Sequence, residues 1–492
     1  MELHFQRETR ETWRECLHKE EIFPVELEGV VPDVNDDVGR VASVCSTVLL
    51  KSKELESRIL SIGGTVDTVV LYITENADRV SSVHLCREFT RTIELPDAET
   101  PQEAQATLRA LRTETRILNP RKLSVCVEIS CEFSLFSREE MTVSLLPSEE
   151  DSALIYGLEE TADAQAITAV SEKSFALTES FVFPKGKAQP QQILSSELRF
   201  HLAEHSRIGS RLIVKGTMEL HVSYAADSVC YPLQQSFSTP VSQILDPGIS
   251  DAVCCTVSCQ PTALYLDLSD GIGGEKTLSC EVHALLQLLC RSSVKLSYLS
   301  DAYSGCMPSV SSECTLSAES AGEMEVDRMT ASELFSVSED CADVLAVFTG
   351  LSRSDAGLTG EFDVIYRSKS GDLAAVHRQL PFQGDVDSQS ARVISTELTK
   401  QVIQPEGEGI QAVLEAEVVR QRCIGSERRA LSGVAMDEEH PFDLSSFPTV
   451  TLVQTGEESL WELARTYHSS VAAIENMNPE DRRGRMLLIP RV

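Results

Sequence analysis

Met218, Leu220, Val222 and Tyr224 alternate with Glu219, His221 and Ser223 in the stretch "KGTMELHVSY". Successive side chains of a strand point to opposite faces, so this period of two predicts a β-strand with one buried and one wet face. Similar alternation runs through "LSVCVEISCEFSL" (123–135) and "TLSCEVHALLQL" (277–288), with turn-forming clusters such as "LNPRK" and "LDPGISD" between the runs. Several short strands separated by turn signals predict a sandwich or barrel.

The pattern also repeats. In "ILSIGGTVDTVVLY" (59–72) and "RLIVKGTMELHVSY" (211–224), Leu60 matches Leu212, Gly64 matches Gly216, Thr65 matches Thr217 and Tyr72 matches Tyr224. The offset of 152 persists upstream, where Phe23 and Pro32 match Phe175 and Pro184. Anchors held in register without a gap predict a duplicated β-domain. The glycine ahead of the strand suits a bulge or a turn with positive φ. A third, weaker copy places Gly360 and Tyr366 on a shorter strand, followed by a turn at Gly371-Asp372.

These anchors predict a mainly β chain of two to three tandem sandwich-like or barrel-like repeats, at 23–146, 175–300 and, degenerate, 334–440. Residues 1–22 are left as an N-terminal tail, 147–174 as a connector and the Ser-rich, acidic stretch 301–333 as a linker.

The C-terminal segment changes period. Ser459 stands three residues before Glu462, the spacing of a capping box. Leu460, Leu463, Ala464 and Tyr467 then recur at helical spacing. A second short helix fits Val471 to Met477, with Val471 and Ile474 inward and Asn478-Pro479 ending it. With "TVTLVQT" (449–455) before the pair and "RMLLIP" (485–490) after it, residues 449–492 predict a small βααβ unit.

This tail resembles the LysM family through Val453, Gln454, Gly456, Leu460-Trp461, Leu463-Ala464, Tyr467, Val471, Ile474, Asn478 and Leu488-Ile489-Pro490. The resemblance implies a core of Leu460, Trp461, Leu463, Tyr467 and Ile474. It also implies a ligand or partner groove with Gly456, Glu457 and Ser459 on one lip and Met477, Asn478 and Pro479 on the other. LysM modules usually carry Gly-Asp-Thr-Leu at the first lip; this chain has "GEESL", one residue longer and with Glu457 for the Asp. The simpler reading makes Trp461 and Tyr467 core, Ser459 a cap and Asn478 the holder of a turn. The repeats, through "VVPDVNDDVGRVASV" (30–44) and "KGTMELHVSY", resemble the SPOCS domains of endospore-forming bacteria. Together the two resemblances imply a protein of the spore coat and its assembly machinery.

Charge narrows the partners. With 76 acidic against 43 basic side chains, the net charge of −33 repels nucleic acid and anionic lipid. No window of 18 apolar residues occurs, so no membrane span is expected. The first 21 residues, charged every two or three positions, do not read as a secretory signal. Fifteen cysteines without a CxxC pair form neither a metal pattern nor a compact disulfide framework, and reduced thiols in a cytosol fit best. In "AVCCTVSCQ", Cys255 and Cys259 share one strand face with Val253 and Val257 and read as small buried hydrophobes.

Catalytic signatures are missing. The phosphate-cradling GxxxxGK[ST], HExxH and GxSxG motifs are absent, and "DGIGGEK" (270–276) reads as a glycine turn. "HLAEH" puts His201 and His205 on an alternating run. As a strand, it separates the two rings by roughly 13 Å, too far for one metal ion. The expectation is therefore a non-enzyme without cofactor or metal. It would act as an assembly scaffold in the mother-cell cytoplasm at the forespore surface, its tail docking the coat's basement-layer ATPase. The alternatives are an anchor that binds peptidoglycan or a chitin-like glycan and, less favoured, a wall hydrolase with an unfamiliar catalytic domain.

Overall fold

The computed structural model describes the chain except residues 97–99, 153, 249–251, 272–274, 338–339, 355–356, 385–390, 455, 457 and 479–485. The side chains of 203–205, 252–253, 318–321, 323, 354, 392 and 423 are also left undescribed. The protein is mainly β, with several sheets and a small closed barrel.

Among the described residues eighteen strands precede the tail. The first six are β1 (Glu2–Val30), β2 (Val38–Glu56), β3 (Ile59–Thr74), β4 (Val80–Glu94), β5 (Glu103–Asn119) and β6 (Lys122–Pro147). The next six are β7 (Tyr156–Val182), β8 (Gln192–Ile208), β9 (Arg211–Ala225), β10 (Leu233–Leu245), β11 (Ala252–Asp270) and β12 (Lys276–Tyr303). The last six are β13 (Ser309–Ser336), β14 (Cys341–Ser354), β15 (Gly357–Ser368), β16 (Leu373–Pro381), β17 (Ala391–Glu406) and β18 (Gly409–Met436). Each set pairs alike. The second, third and fourth strands make a three-stranded antiparallel meander, the first pairs with the sixth, and the fifth pairs with the sixth.

In the first set the meander packs face to face on the β5-β6-β1 sheet. Leu60, Ile62, Val66, Val70 and Tyr72 of β3 meet Phe23, Val25 and Leu27 of β1 and Leu123 to Leu135 of β6. Tyr72, Tyr224 and Tyr366 are among the largest fully buried side chains of the protein, one in each sandwich core.

The outer strands run on past their own sandwich. At 26–29 residues, β1, β6, β7, β12, β13 and β18 far exceed the usual strand of up to about 10. Their second halves are shared. β1 meets β7 at Trp13–Ile167, β12 runs parallel to β6 at Ser297–Ser144, and the β1–β6 and β7–β12 ladders close the ring. β18 joins at Glu2–Ala435. The interior combines residues from all three sets: Leu145, Ala164, Ala166, Val294, Leu296, Tyr298, Leu316 and Ala430. Between the two halves the ladders slip, at Glu15/Leu17, at Cys290/Arg291 and at Ala321/Met324. Such bulges bend and twist a strand, so each ribbon can serve two cores.

This layout corrects the boundaries expected from sequence. Residues 1–22 are not a tail but most of β1, 147–174 lie largely in β7, and 301–333 lie largely in β13. The cause is charge on the wet faces of paired strands. "RETRETWRE" faces β6 through Glu11–Arg138 and Arg14–Glu139, with the Arg138 guanidinium over the Trp13 ring. The acidic β13 is matched by an arginine-rich β18 through Glu313–Arg429, Glu325–Arg422 and Asp327–Arg420, and Arg328 of β13 pairs in turn with Glu417 of β18. Such exposed pairs add little stability each, but opposite charges across a ladder favour this pairing over others.

The repeated glycines also differ from expectation. Gly64 and Gly216 lie inside β3 and β9 without positive φ. The irregularity sits on the neighbouring strand, where the ladder slips at Leu50/Ser52 and Leu202/Glu204. A Cβ on Gly216 would clash with the His201 carbonyl, and one on Gly64 would meet the Leu49 carbonyl at 2.9 Å. Glycine here makes room for a bulged neighbour.

The three meanders share a buried apolar cluster that includes Leu71, Leu194 and Ile365, and the first two sandwiches are also joined by polar clamps. Gln287 of β12 accepts from the Ala106 N–H (2.8 Å) and donates to the Ala106 carbonyl (2.9 Å). Gln260 of β11 treats Leu108 the same way at 3.2 Å. Both side chains are buried. Each amide thus stands in for a strand partner of β5, satisfying backbone groups that would otherwise be buried unpaired.

Candidate functional site

The tail consists of β19 (Val450–Gln454), α1 (Leu460–Thr466), α2 (Val471–Met477) and β20 (Met486–Pro490). β19 and β20 pair antiparallel from Val450–Pro490 to Gln454–Met486. Ser459 caps α1. Its Oγ accepts from the Glu462 N–H, and the Glu462 carboxylate accepts from the Ser459 N–H at 2.7 Å, a complete capping box. Those bonds hold the Glu462 carboxyl below the usual carboxylate range. Ser470 caps α2 by accepting from the Ala473 N–H. Leu463, Ala464, Ile474, Leu487 and Ile489 are buried, with Leu460, Trp461, Tyr467 and Val471 packed partly buried around them.

The tail is fixed to the end of the β7–β12 ribbon. Tyr303 belongs to the same apolar cluster, and Tyr156 lines it. The Tyr303 ring meets Trp461 edge-on at 5.0 Å, and its hydroxyl donates to the Ser469 carbonyl at 2.8 Å. Burial pushes the Tyr303 phenol well above its ordinary value. The Trp461 indole N–H donates to Asp301 at 2.8 Å, and Arg465 donates to the same carboxylate at 2.9 Å. His468 turns the chain between the helices at φ 52° and packs against Phe442 and Phe447. Burial lowers its pKa.

The six lip positions separate into three kinds. Gly456, Ser459 and Met477 are exposed. Asn478 is buried and fully used: its Nδ2 donates to the carbonyls of Ile474 and Leu488, and its Oδ1 accepts from the Leu488 N–H at 3.0 Å. It ties the end of α2 to β20 and has no polar group to spare for a ligand, so its expected groove role gives way to a structural one. Glu457 and Pro479 lie outside the described residues. Of the five expected core positions, Leu463 and Ile474 are buried, whereas Leu460, Trp461 and Tyr467 are half-buried.

Sequence reasoning missed Asp301, Tyr303 and Tyr156, which hold the tail in place. "SDAYSG" (300–305) offers no periodicity, and an indole N–H advertises a need for an acceptor without saying where it lies. Beside the lips, the β19–β20 pair also exposes Val450, Leu452, Met486 and Leu488.

Elsewhere the chemistry is that of ion pairs. Among the described residues no group of three His, Cys, Asp or Glu side chains is placed to hold a metal. His201 lies in β8, as does His205, and pairs with Glu219 and with Glu397 of β17. A shallow cleft of about 310 Å³ between β5 and the β15–β16 hairpin is lined by Arg112, Glu114, Arg116, Glu361, His377 and Gln379. At its edge His377 bonds Asp363 at 2.7 Å, and Asp363 accepts from Ser43 of β2 at 2.7 Å. Asp363 raises the His377 pKa against the opposing effect of burial, and Asp67 does the same for His84. A histidine whose pKa is raised on folding contributes stability that is complete below its unfolded value of about 6.5 and is lost as pH rises through the folded value. Urea midpoints should therefore fall as pH rises from about 6 to about 8. The double variant His84→Asn/His377→Asn should flatten that slope; an unchanged slope would count against both pairs.

No protein-family model matches this chain, and no curated protein or solved structure matches it either. Among the described residues no helix is long and apolar enough to cross a membrane.

Proposed function

We propose that this protein is a non-enzymatic scaffold for assembly of the endospore coat, its LysM-like tail docking a coat morphogenetic protein, the basement-layer ATPase. The carrying observation is how the tail is mounted. Trp461, Arg465 and Ser469 face the body and are used in holding it, while Gly456, Ser459 and Met477 stay exposed. A module held at one face with three of its lip residues exposed suits presentation to a large partner better than it suits catalysis. The resemblance of the repeats to SPOCS domains supports the same reading. Three sandwiches joined through one barrel make a body of broad surfaces, and the acidic charge favours proteins or cations over nucleic acid. On this reading the chain works in the mother-cell cytoplasm at the forespore surface.

Peptidoglycan anchoring is the second reading, and the exposed Gly456 and Ser459 lip keeps it in view. The two separate in one assay. Full-length chain and a chain ending at residue 448 are offered to the purified ATPase and to insoluble chitin and peptidoglycan. The scaffold reading expects capture of the ATPase by the full chain only, weakened at least about tenfold by Met477→Lys, as for a residue near an interface centre. Retention on glycan with no ATPase capture would replace it with the anchoring reading.

A further inference from the structure

Among the described residues fourteen cysteines are free thiols, and two of them face each other. Cys255 of β11 is the direct cross-strand partner of Cys290 of β12, and their sulfurs are 2.9 Å apart. Both are buried in a cluster with Leu212, Val214, Leu286 and Leu288. Directly opposed residues of an antiparallel pair have Cα atoms about 4.5–5.5 Å apart, inside the range a disulfide spans. We propose that Cys255 and Cys290 are an oxidative modification site, a dithiol that closes into a disulfide stapling β11 to β12.

The position gives the staple a task. Among the described residues β11 pairs with β12 alone, yet it carries Gln260, which clamps β5 of the first sandwich. Cys290 sits where the β12–β7 ladder slips, between the half of the ribbon in the sandwich and the half in the barrel. A covalent link here fixes an edge strand near the junction of the two cores. Cys255 lies only three residues into β11, and strand ends open at low free-energy cost, which gives a small oxidant access to a buried thiol.

The oxidant is a low-molecular-weight disulfide, RSSR. Cys255 is the attacking group: its hydrogen bond with Cys290 lowers its pKa against the effect of burial, and Arg207 adds to this. The same bond and burial raise Cys290. The Cys255 thiolate attacks one sulfur of RSSR and expels RS⁻, which takes up a proton. Cys290 then loses its proton and attacks the Cys255 sulfur of the mixed disulfide, expelling the second RS⁻. Two protein thiols and one RSSR become one protein disulfide and two RSH.

The test uses the full chain, oxidised with glutathione disulfide, alkylated, digested and mapped by mass spectrometry without reduction. The expected product is a peptide pair joined through Cys255 and Cys290. Cys259→Ala should keep the link, and Cys290→Ala should leave a glutathione adduct on Cys255. The linked protein should melt about 5 °C higher than the reduced protein, a gain reversed by dithiothreitol. Glutathionylation of the exposed Cys86 and Cys230 with no Cys255–Cys290 link would overturn the assignment. Because wild type alone decides that point, a variant that fails to fold leaves the test intact. A link that forms without raising the melting temperature would remove the stapling role.

Discussion

Tyr224→Ala is expected to destabilise the second sandwich by about 4 kcal/mol, the usual cost of emptying a large aromatic site in a packed core. Tyr224 is 1% exposed and sits edge-on to Phe183 at 5.1 Å, which in turn meets Phe237 at 5.2 Å. Its removal undercuts a chain of aromatic contacts across the core. Hydrogen exchange should show where the loss falls. Tyr224 lies on β9, the central strand of the β8–β10 meander, so the amides of that meander should lose protection first. The β2–β4 and β14–β16 meanders should keep most of theirs, and Tyr72→Ala and Tyr366→Ala should each move the weak point to their own sandwich. Equal loss in all three meanders would mean that the barrel welds the chain into one cooperative unit, and the modular reading would fail.

That test rests on residues that could be read from the sequence. Tyr72 and Tyr224 fell out of the offset of 152, and Tyr366 followed on a strand two residues shorter. Alternation exposed each central strand because one face is buried in a sandwich and is therefore consistently apolar. The outer strands hid for the opposite reason. In the barrel halves of β1 and β13 the wet face is dense with charge, and the inward positions are small or polar, such as Thr12, which is buried, and Cys314. A stretch like "RETRETWRE" then carries no hydrophobic alternation, although every residue in it is paired. The glycines were found, but their reason was not. The bulge that requires Gly216 lies on β8, and a one-strand reading cannot see a neighbour's carbonyl. In the tail, local signals were legible because capping and helical period act within a few residues. The docking was not, since Asp301 reaches Trp461 across 160 positions of sequence.

Because of that docking, the double variant Asp301→Ala/Tyr303→Ala is expected to release the tail from the body, at a cost of about 3 kcal/mol in local stability. It removes the acceptor shared by Trp461 and Arg465, the hydroxyl that donates to Ser469, and the ring against Trp461. Released, the tail keeps a core of only Leu463, Ala464, Ile474, Leu487 and Ile489, too little for a unit of this size to be secure alone. Trp461 emission should shift to the red, and cleavage in 437–449 should accelerate. Trp461→Ala should produce the same release, since the indole faces the docking surface as much as the tail's own core. Met477→Lys, on an exposed lip, should leave both readouts unchanged. If the double variant keeps its native emission and proteolytic resistance, the tail is an autonomous bead and the contacts with Asp301 and Tyr303 are incidental. If release occurs and capture of the ATPase persists, recognition belongs to the tail alone, and the body serves only to carry it. If release abolishes capture while Met477→Lys merely weakens it, recognition requires the tail to be held folded on the body.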